Sequence, residues 1–308
     1  MAGEGTYYVP EQSKLPIFAS FGLFLTVYGA ATWLNGGSVG PFSGPVVFMV
    51  GGLVMAIVLW SWFSTVITEN MAGLNGAQLK RSYVWGMGWF IFSEVMFFAA
   101  FFGALYYIRH FALPWLSGEG SNASTNEVLW SGFEAQWPLM VTPDMAVNGD
   151  AAKVLGPGEN MSISTAKSLW TWLPFWNTVV LLTSSVTVHF AHTALKNNKR
   201  KPFNVWLGIT VALGIFFLFL QAEEYIHAYK VGLEIDTGVY GTTFFMLTGF
   251  HGAHVTLGTL MLLIMWLRSV LKGHFKHEDC FGFEAASWYW HFVDVVWVGL
   301  FIFVYILG

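Results

Sequence analysis

Glu284, Ser287, His291 and Asp294 lie in the run FGFEAASWYWHFVDVVW, Phe281 to Trp297. At about 100° per residue the four fall within a stripe roughly 80° wide on one helix. The run opens an apolar stretch that reaches the C-terminus. An ionisable group in hydrocarbon costs at least about 2.5 kcal/mol, so the stripe is expected to face protein, water or a lipid headgroup. Glu94, in WFIFSEVMFF, poses the same problem about 16 Å into another apolar run. It has two readings: a proton-exchanging or protonated carboxyl, or a hydrogen-bonded glutamate that fixes helix packing.

Histidines supply the other candidate chemistry. His251 and His254 (GFHGAHVTLG) stand one turn apart among Gly249, Gly252 and Gly258, small residues that permit close helix approach. His189 and His192 (VHFAH) form a second pair, with Thr178 and Ser185 on the same helix face. Two such pairs and a glutamate could build a dinuclear metal site. The pairs lie at different depths, however, and the Glu-x-x-His spacing of Glu224 and His227 falls at a span end. Histidines that bond neighbouring helices and position lipids are the default. Gln221, Glu223, Glu224 and Tyr225 (LQAEEY) read as a snorkelling group or a contact with a partner subunit. Arg268 can pair with a phosphate headgroup or serve as an ordinary membrane anchor.

The elements that must position these residues are membrane helices. Of 308 residues 55% are hydrophobic and only 10% charged, against about a quarter charged in soluble domains; the mean hydropathy is +0.56. Seven apolar runs, near 15–34, 45–68, 83–109, 169–195, 203–227, 240–268 and 285–307, are long enough to span about 30 Å of hydrocarbon. With the N-terminus inside, the inner segments hold Lys14, Lys80, Arg81, Lys196, Lys199, Arg200, Lys201, Arg268, Lys272 and Lys276. The outer ones hold Arg109, Lys153, Lys167 and Lys230, so the C-terminus is expected outside. Tryptophans such as Trp33, Trp60, Trp85, Trp170 and Trp206 fall near span ends, as aromatic belts do.

The sole cysteine, Cys280, excludes an internal disulfide, a thiolate cluster, a CxxCH haem attachment and a two-cysteine copper site. The net charge of −4 gives no sign of nucleic-acid binding. MAGEGTYYVPEQSK does not read as a cleavable signal. The connection from 114 to 168 carries Glu119, Glu127, Glu134, Asp144, Asp150 and Glu159 against Lys153 and Lys167. It reads as a solvated outer cap, ahead of a docking surface for a basic partner such as cytochrome c. Sequons at Asn122 and Asn160 matter only on a eukaryotic secretory route.

Several of these runs, taken together, resemble subunit III of the haem–copper cytochrome c oxidases. They are SEVMFF (Ser93–Phe98), NTVVLLTSS (Asn177–Ser185), Ala191-His192, LQAEEY (Leu220–Tyr225), YGTTFFMLTGFHGAHVTLG (Tyr240–Gly258) and the Phe281–Trp297 run itself. The first two spans match in apolar character and in the lead-in YYVPEQSKLP. The resemblance implies an all-α membrane protein with two helices (residues 1–82) and five helices (83–308) around a V-shaped lipid cleft. It implies a chain with no haem, copper or other metal and no catalytic residue of its own, bound to subunit I in a complex with subunit II and small subunits. Haem and copper then belong to the partners, and phospholipids to this chain.

By the same resemblance Glu94 matches the carbodiimide-reactive membrane carboxyl. Lipid-binding or helix-packing roles fall to Trp62, Lys80, Arg81, Glu94, His251, His254 and Arg268. His189, His192, Glu223, Glu224, Glu284, His291 and Asp294 are expected in the polar interior or at a subunit contact. The implied role is support of proton uptake and turnover stability in subunit I. Two departures stand out: Trp62-Phe63-Ser64 replaces a Trp-Trp-Arg sequence, and Val84 replaces an arginine, leaving Lys80 and Arg81 to meet headgroups at that corner. The 114–168 connection is longer than the family's usual one. Rival readings are the equivalent quinol oxidase subunit, which usually has five spans, a stand-alone membrane metalloenzyme, and a proton channel using Glu94, His251 and His254. The expected location is a bacterial plasma membrane, with the mitochondrial inner membrane as alternative.

Overall fold

The computed structural model describes residues 9, 12–149, 162–163, 166–276 and 280–308. Asp150, Lys153, Glu159, Asn160 and most of the YYVPEQ lead-in lie outside the described residues. Among these residues the chain is predominantly helical, and seven helices are long and apolar enough to cross a membrane. This is a multi-pass membrane protein. Helices prevail because hydrocarbon offers no partner to a free backbone N–H or C=O. The chain divides into two compact units, Met1–Gly86 and Met87–Gly308.

The first unit is a helical hairpin. α1 (Leu15–Leu34) and α2 (Gly44–Met71) are joined by a two-stranded turn, β1 (Ser38–Val39) against β2 (Phe42–Ser43). Gly40 takes φ +58° at its tip, which a β-carbon would oppose. The seam between the helices is built from glycine. A β-carbon on Gly29 would stand 2.3 Å from Phe48 N, and one on Gly51 would stand 2.4 Å from Thr26 N. Close backbone approach is how helices gain dispersion energy where lipid is as apolar as leucine.

Helix α3 (Ala77–Tyr107) runs across the unit boundary. It continues through a π-turn at Ile108–Ala112 into α4 (Leu113–Leu116). The described part of the connection beyond, up to Gly149, is more ordered than a solvated cap requires. It contains α5 (Ala123–Leu129) and α6 (Pro143–Asn148), the latter capped by Thr142 Oγ1 accepting from Met145 N at 3.3 Å. Asn126 Nδ2 donates to the carbonyls of Leu116, Trp130 and Phe133 at 3.1–3.2 Å. Phe133 and Leu139 are buried, and Trp137 meets Tyr240 edge-on and the Arg109 guanidinium face-on.

The core of the second unit is made by α7 (Leu173–Lys196), α8 (Arg200–Lys230), α9 (Val239–Lys272) and α10 (Phe281–Leu300), the last extended by a π-turn to Ile306. Several helices outrun the apolar runs that mark them, because a helix continues past the hydrocarbon for as long as its polar turns are solvated. α7 instead begins later than the expected residue 169. Leu169–Thr171 form a 3₁₀ turn under a Ser168 cap, and Pro174 sits in the first α-turn. Trp290 fills the centre of this unit. β-carbons on Gly214 and Gly258 would come within 2.8 and 2.9 Å of its ring, so both glycines are the walls of its slot.

Candidate functional site

The polar residues of the second unit gather into two mid-helix arrangements and two terminal ones. The first joins α3 to α9. Glu94 and His254 lie near the midpoints of these long helices, and His254 Nε2 is 2.9 Å from Glu94 Oε2. On its other side His254 Nδ1 lies 2.6 Å from the Phe250 carbonyl. A carbonyl only accepts, so Nδ1 carries a hydrogen. The Nε2–Oε2 bond then needs one more proton, whether it rests on carboxyl or imidazole. The pair is thus a one-proton couple held between two helices. Phe98 packs edge-on to the imidazole and Tyr289 stacks beside it.

The second arrangement is a ladder between α7 and α10, which run antiparallel. His192 Nε2 meets Glu284 Oε1 at 3.0 Å, with Lys196 Nζ at 3.4 Å from the same oxygen. Two turns on, Ser185 Oγ meets His291 Nδ1 at 2.8 Å. Two turns further, Trp297 Nε1 donates to Thr178 Oγ1 at 3.0 Å. The seven-residue steps of the sequence (192, 185, 178 on one side; 284 and 291 on the other) are what put each rung at the same seam. Between rungs Trp290 Nε1 donates to Ser184 Oγ at 2.9 Å. The stripe read from the sequence therefore faces α7. Its members differ in depth: Asp294 and Ser287 are buried, Glu284 is partly covered, and the His291 side chain is 42% exposed. Asp294 Oδ2 lies behind His291 Nδ1 at 3.7 Å.

At one end of the unit Gln221 and Glu224 are buried rather than snorkelling, with Gln221 Nε2 donating to Glu224 Oε2 at 3.0 Å. Tyr305 lies beside them, and Tyr225 Oη meets Thr248 Oγ1 at 2.8 Å. Glu223, the neighbour in sequence, is exposed. Helical geometry separates the two: residue 224 follows 221 and 217 onto the packed face, and 223 does not. At the other end Arg200 donates to the carbonyls of His274 and Phe275 at 2.9 and 2.7 Å, and Arg268 lies 4.6 Å over the Phe275 ring. The His274 imidazole is held below the ordinary histidine value, first by lost solvent and then by the Arg268, Lys272 and Arg200 cations.

The two histidine pairs are not brought together. His251 is buried and its Nε2 is 3.1 Å from the Val293 carbonyl, while His189 is exposed beside Phe190. No group of three or more His, Cys, Asp or Glu gathers for a metal among the described residues. Trp62, stacked on Phe63, and Lys80 and Arg81 belong to the first unit; Glu94, His251, His254 and Arg268 belong to the second. Sequence reasoning missed Asn177, Tyr289 and Tyr305, all deeply buried. The polar character of Asn177 inside an apolar run was the available signal.

Comparison with known proteins bears on this arrangement directly. The family model described as cytochrome c oxidase subunit III matches residues 5–114 and 162–308. The unmatched stretch falls inside the long 114–168 connection. Proteins named cytochrome c oxidase subunit 3 from Raphicerus campestris, Oryctolagus cuniculus and Tetraodon nigroviridis are each 34% identical over 303 residues. The matches cover 98% of this chain and 97% of theirs.

Proposed function

The chain belongs to the cytochrome c oxidase subunit III family, and from that premise we propose that it is an accessory subunit of a proton-pumping oxidase passing electrons from cytochrome c to oxygen. In this reading it has no haem or copper of its own, packs against the catalytic subunit I, and binds phospholipids. It supports proton uptake and protects subunit I during turnover. Its N-terminus lies inside and its C-terminus outside, in a bacterial plasma membrane.

The observation that carries the reading is the near-full-length match together with the Glu94–His254 couple at mid-membrane. A carboxyl that shares one proton with an imidazole keeps the pair neutral overall whichever partner holds the proton, so no unpaired charge stands in hydrocarbon. His254 spends both ring nitrogens, on the Phe250 carbonyl and on Glu94, which leaves it neither for a metal. The test is depletion. Oxidase stripped of this chain should start at a near-normal rate and lose activity faster during sustained turnover, and adding the chain back should restore its lifetime. Immediate inactivity, fully reversed by adding the chain, would place chemistry in the chain itself.

A further inference from the structure

Membrane helices can show hydroxyl groups to lipid when each bonds its own backbone. Three exposed threonines of the second unit do so: Thr183 donates to Val179 O at 2.6 Å, Thr256 to Gly252 O at 2.8 Å and Thr242 to Gly238 O at 3.1 Å. A histidine has two ring nitrogens, and the second still needs a partner. His254 finds that partner in Glu94. His291 does not: its Nδ1 is spent on Ser185, and Nε2 makes no hydrogen bond among the described residues although the side chain is 42% exposed.

His189 repeats the pattern. It is exposed, one turn along α7 from Ser185, and neither ring nitrogen is hydrogen-bonded among the described residues. Ser185, His189 and His192 form one stripe of α7, and Glu284 and His291 face it from α10. The polar centre is rimmed by exposed apolar side chains: Val186, Trp288 and Val295.

Depth decides what can cover this patch. His291 stands about 15 Å along α10 from Phe281, close to the bilayer midplane, where no headgroup reaches. Intramembrane histidines in lipid are costly and pair with protein. An apolar rim around one unsatisfied hydrogen-bonding centre is complementary to a helix that carries a single polar side chain among apolar ones. We propose that the α7–α10 seam around His291 and His189 is the docking face for a membrane-spanning helix of a partner oxidase subunit, which supplies a hydrogen-bonding side chain to His291 Nε2. The proposal rests on the oxidase-subunit reading and adds to it the face, the depth and the chemistry of contact.

The test uses the whole complex in native membranes. Val295, on the rim, is replaced by photo-reactive p-benzoyl-phenylalanine, and the irradiated complex is purified through a tag on this chain. The expected product is one adduct with a membrane-spanning segment of a haem-bearing subunit. Separately, His291→Leu should lower the amount of chain retained per haem after a detergent wash by about threefold to tenfold, with His291→Gln restoring most of it. Adducts confined to lipid, or to α1 or α2 of the same chain, overturn the docking face, as does undiminished retention in His291→Leu. Haem co-purifying with the unsubstituted tagged chain separates the two levels. If it is present while adducts are lipid-only, the docking face alone fails; if it is absent, the oxidase-subunit reading fails and the docking face with it.

Discussion

At Glu94 the Phe250 carbonyl fixes the proton count, because it obliges His254 to present an Nε2 that must share a proton with the carboxyl. Glu94→Gln keeps a donor at that position, so assembly and initial oxidase turnover should be close to wild type. Complete loss of initial activity in that variant would make the carboxyl catalytic. His254→Leu removes both bonds and the ring contacts with Phe98 and Tyr289. It should weaken subunit association or lipid retention while leaving the haem spectrum unchanged; a shifted spectrum with normal assembly would contradict this. The apolar runs 83–109 and 240–268 put Glu94 and His254 each well inside a span. The sequence did not show their contact, because the rotation of two helices distant in sequence is set by packing, and no spacing rule reports it. The Phe281–Trp297 stripe was legible for the opposite reason: one helix carries the whole pattern at a fixed angle per residue.

Elements in this protein are joined by glycine and tryptophan rather than by hydrophobic burial alone. Gly51→Leu drives a side chain into Thr26 backbone, and Gly258→Val drives one into the Trp290 ring. Each should lower stability by about 1–3 kcal/mol, read as a loss of thermal stability in detergent, whereas alanine at Gly52, where a β-carbon meets nothing within 4 Å, should have little effect. At the α9–α10 connection the sign of a pH effect follows from His274. Its Nδ1 accepts from Arg268 Nε at 3.4 Å, so the folded chain holds it neutral while the unfolded chain protonates near pH 6.5. The stability of this corner is therefore present above that value and is lost as pH falls below it. Melting curves of wild type and His274→Asn between about pH 8 and 5 should diverge on the acid side, modestly because the ring is largely solvated; parallel curves would contradict the assignment. Hydropathy marked all seven helices, since it reports what lies in hydrocarbon. It misplaced their ends, since helix ends depend on caps such as Ser168 and on prolines such as Pro174.

For the molecule as a whole, the order of polar rungs along α7 and α10, the glycine-walled core and the match over nearly the entire chain describe one of several subunits in a membrane complex. The long connection was the hardest part to read. Its composition is that of a solvated loop, yet Asn126, Phe133 and Trp137 fold its first half by contacts that no local pattern announces. The most direct measurement is a mild-detergent purification through a tag on this chain, followed by a visible absorption spectrum and an oxygen-uptake assay with reduced cytochrome c. The account predicts haem bands and cytochrome c-dependent oxygen consumption in the co-purifying complex, both absent from the chain once it is stripped away. A homogeneous chain that purifies without haem-bearing partners, or that consumes oxygen by itself, would contradict it.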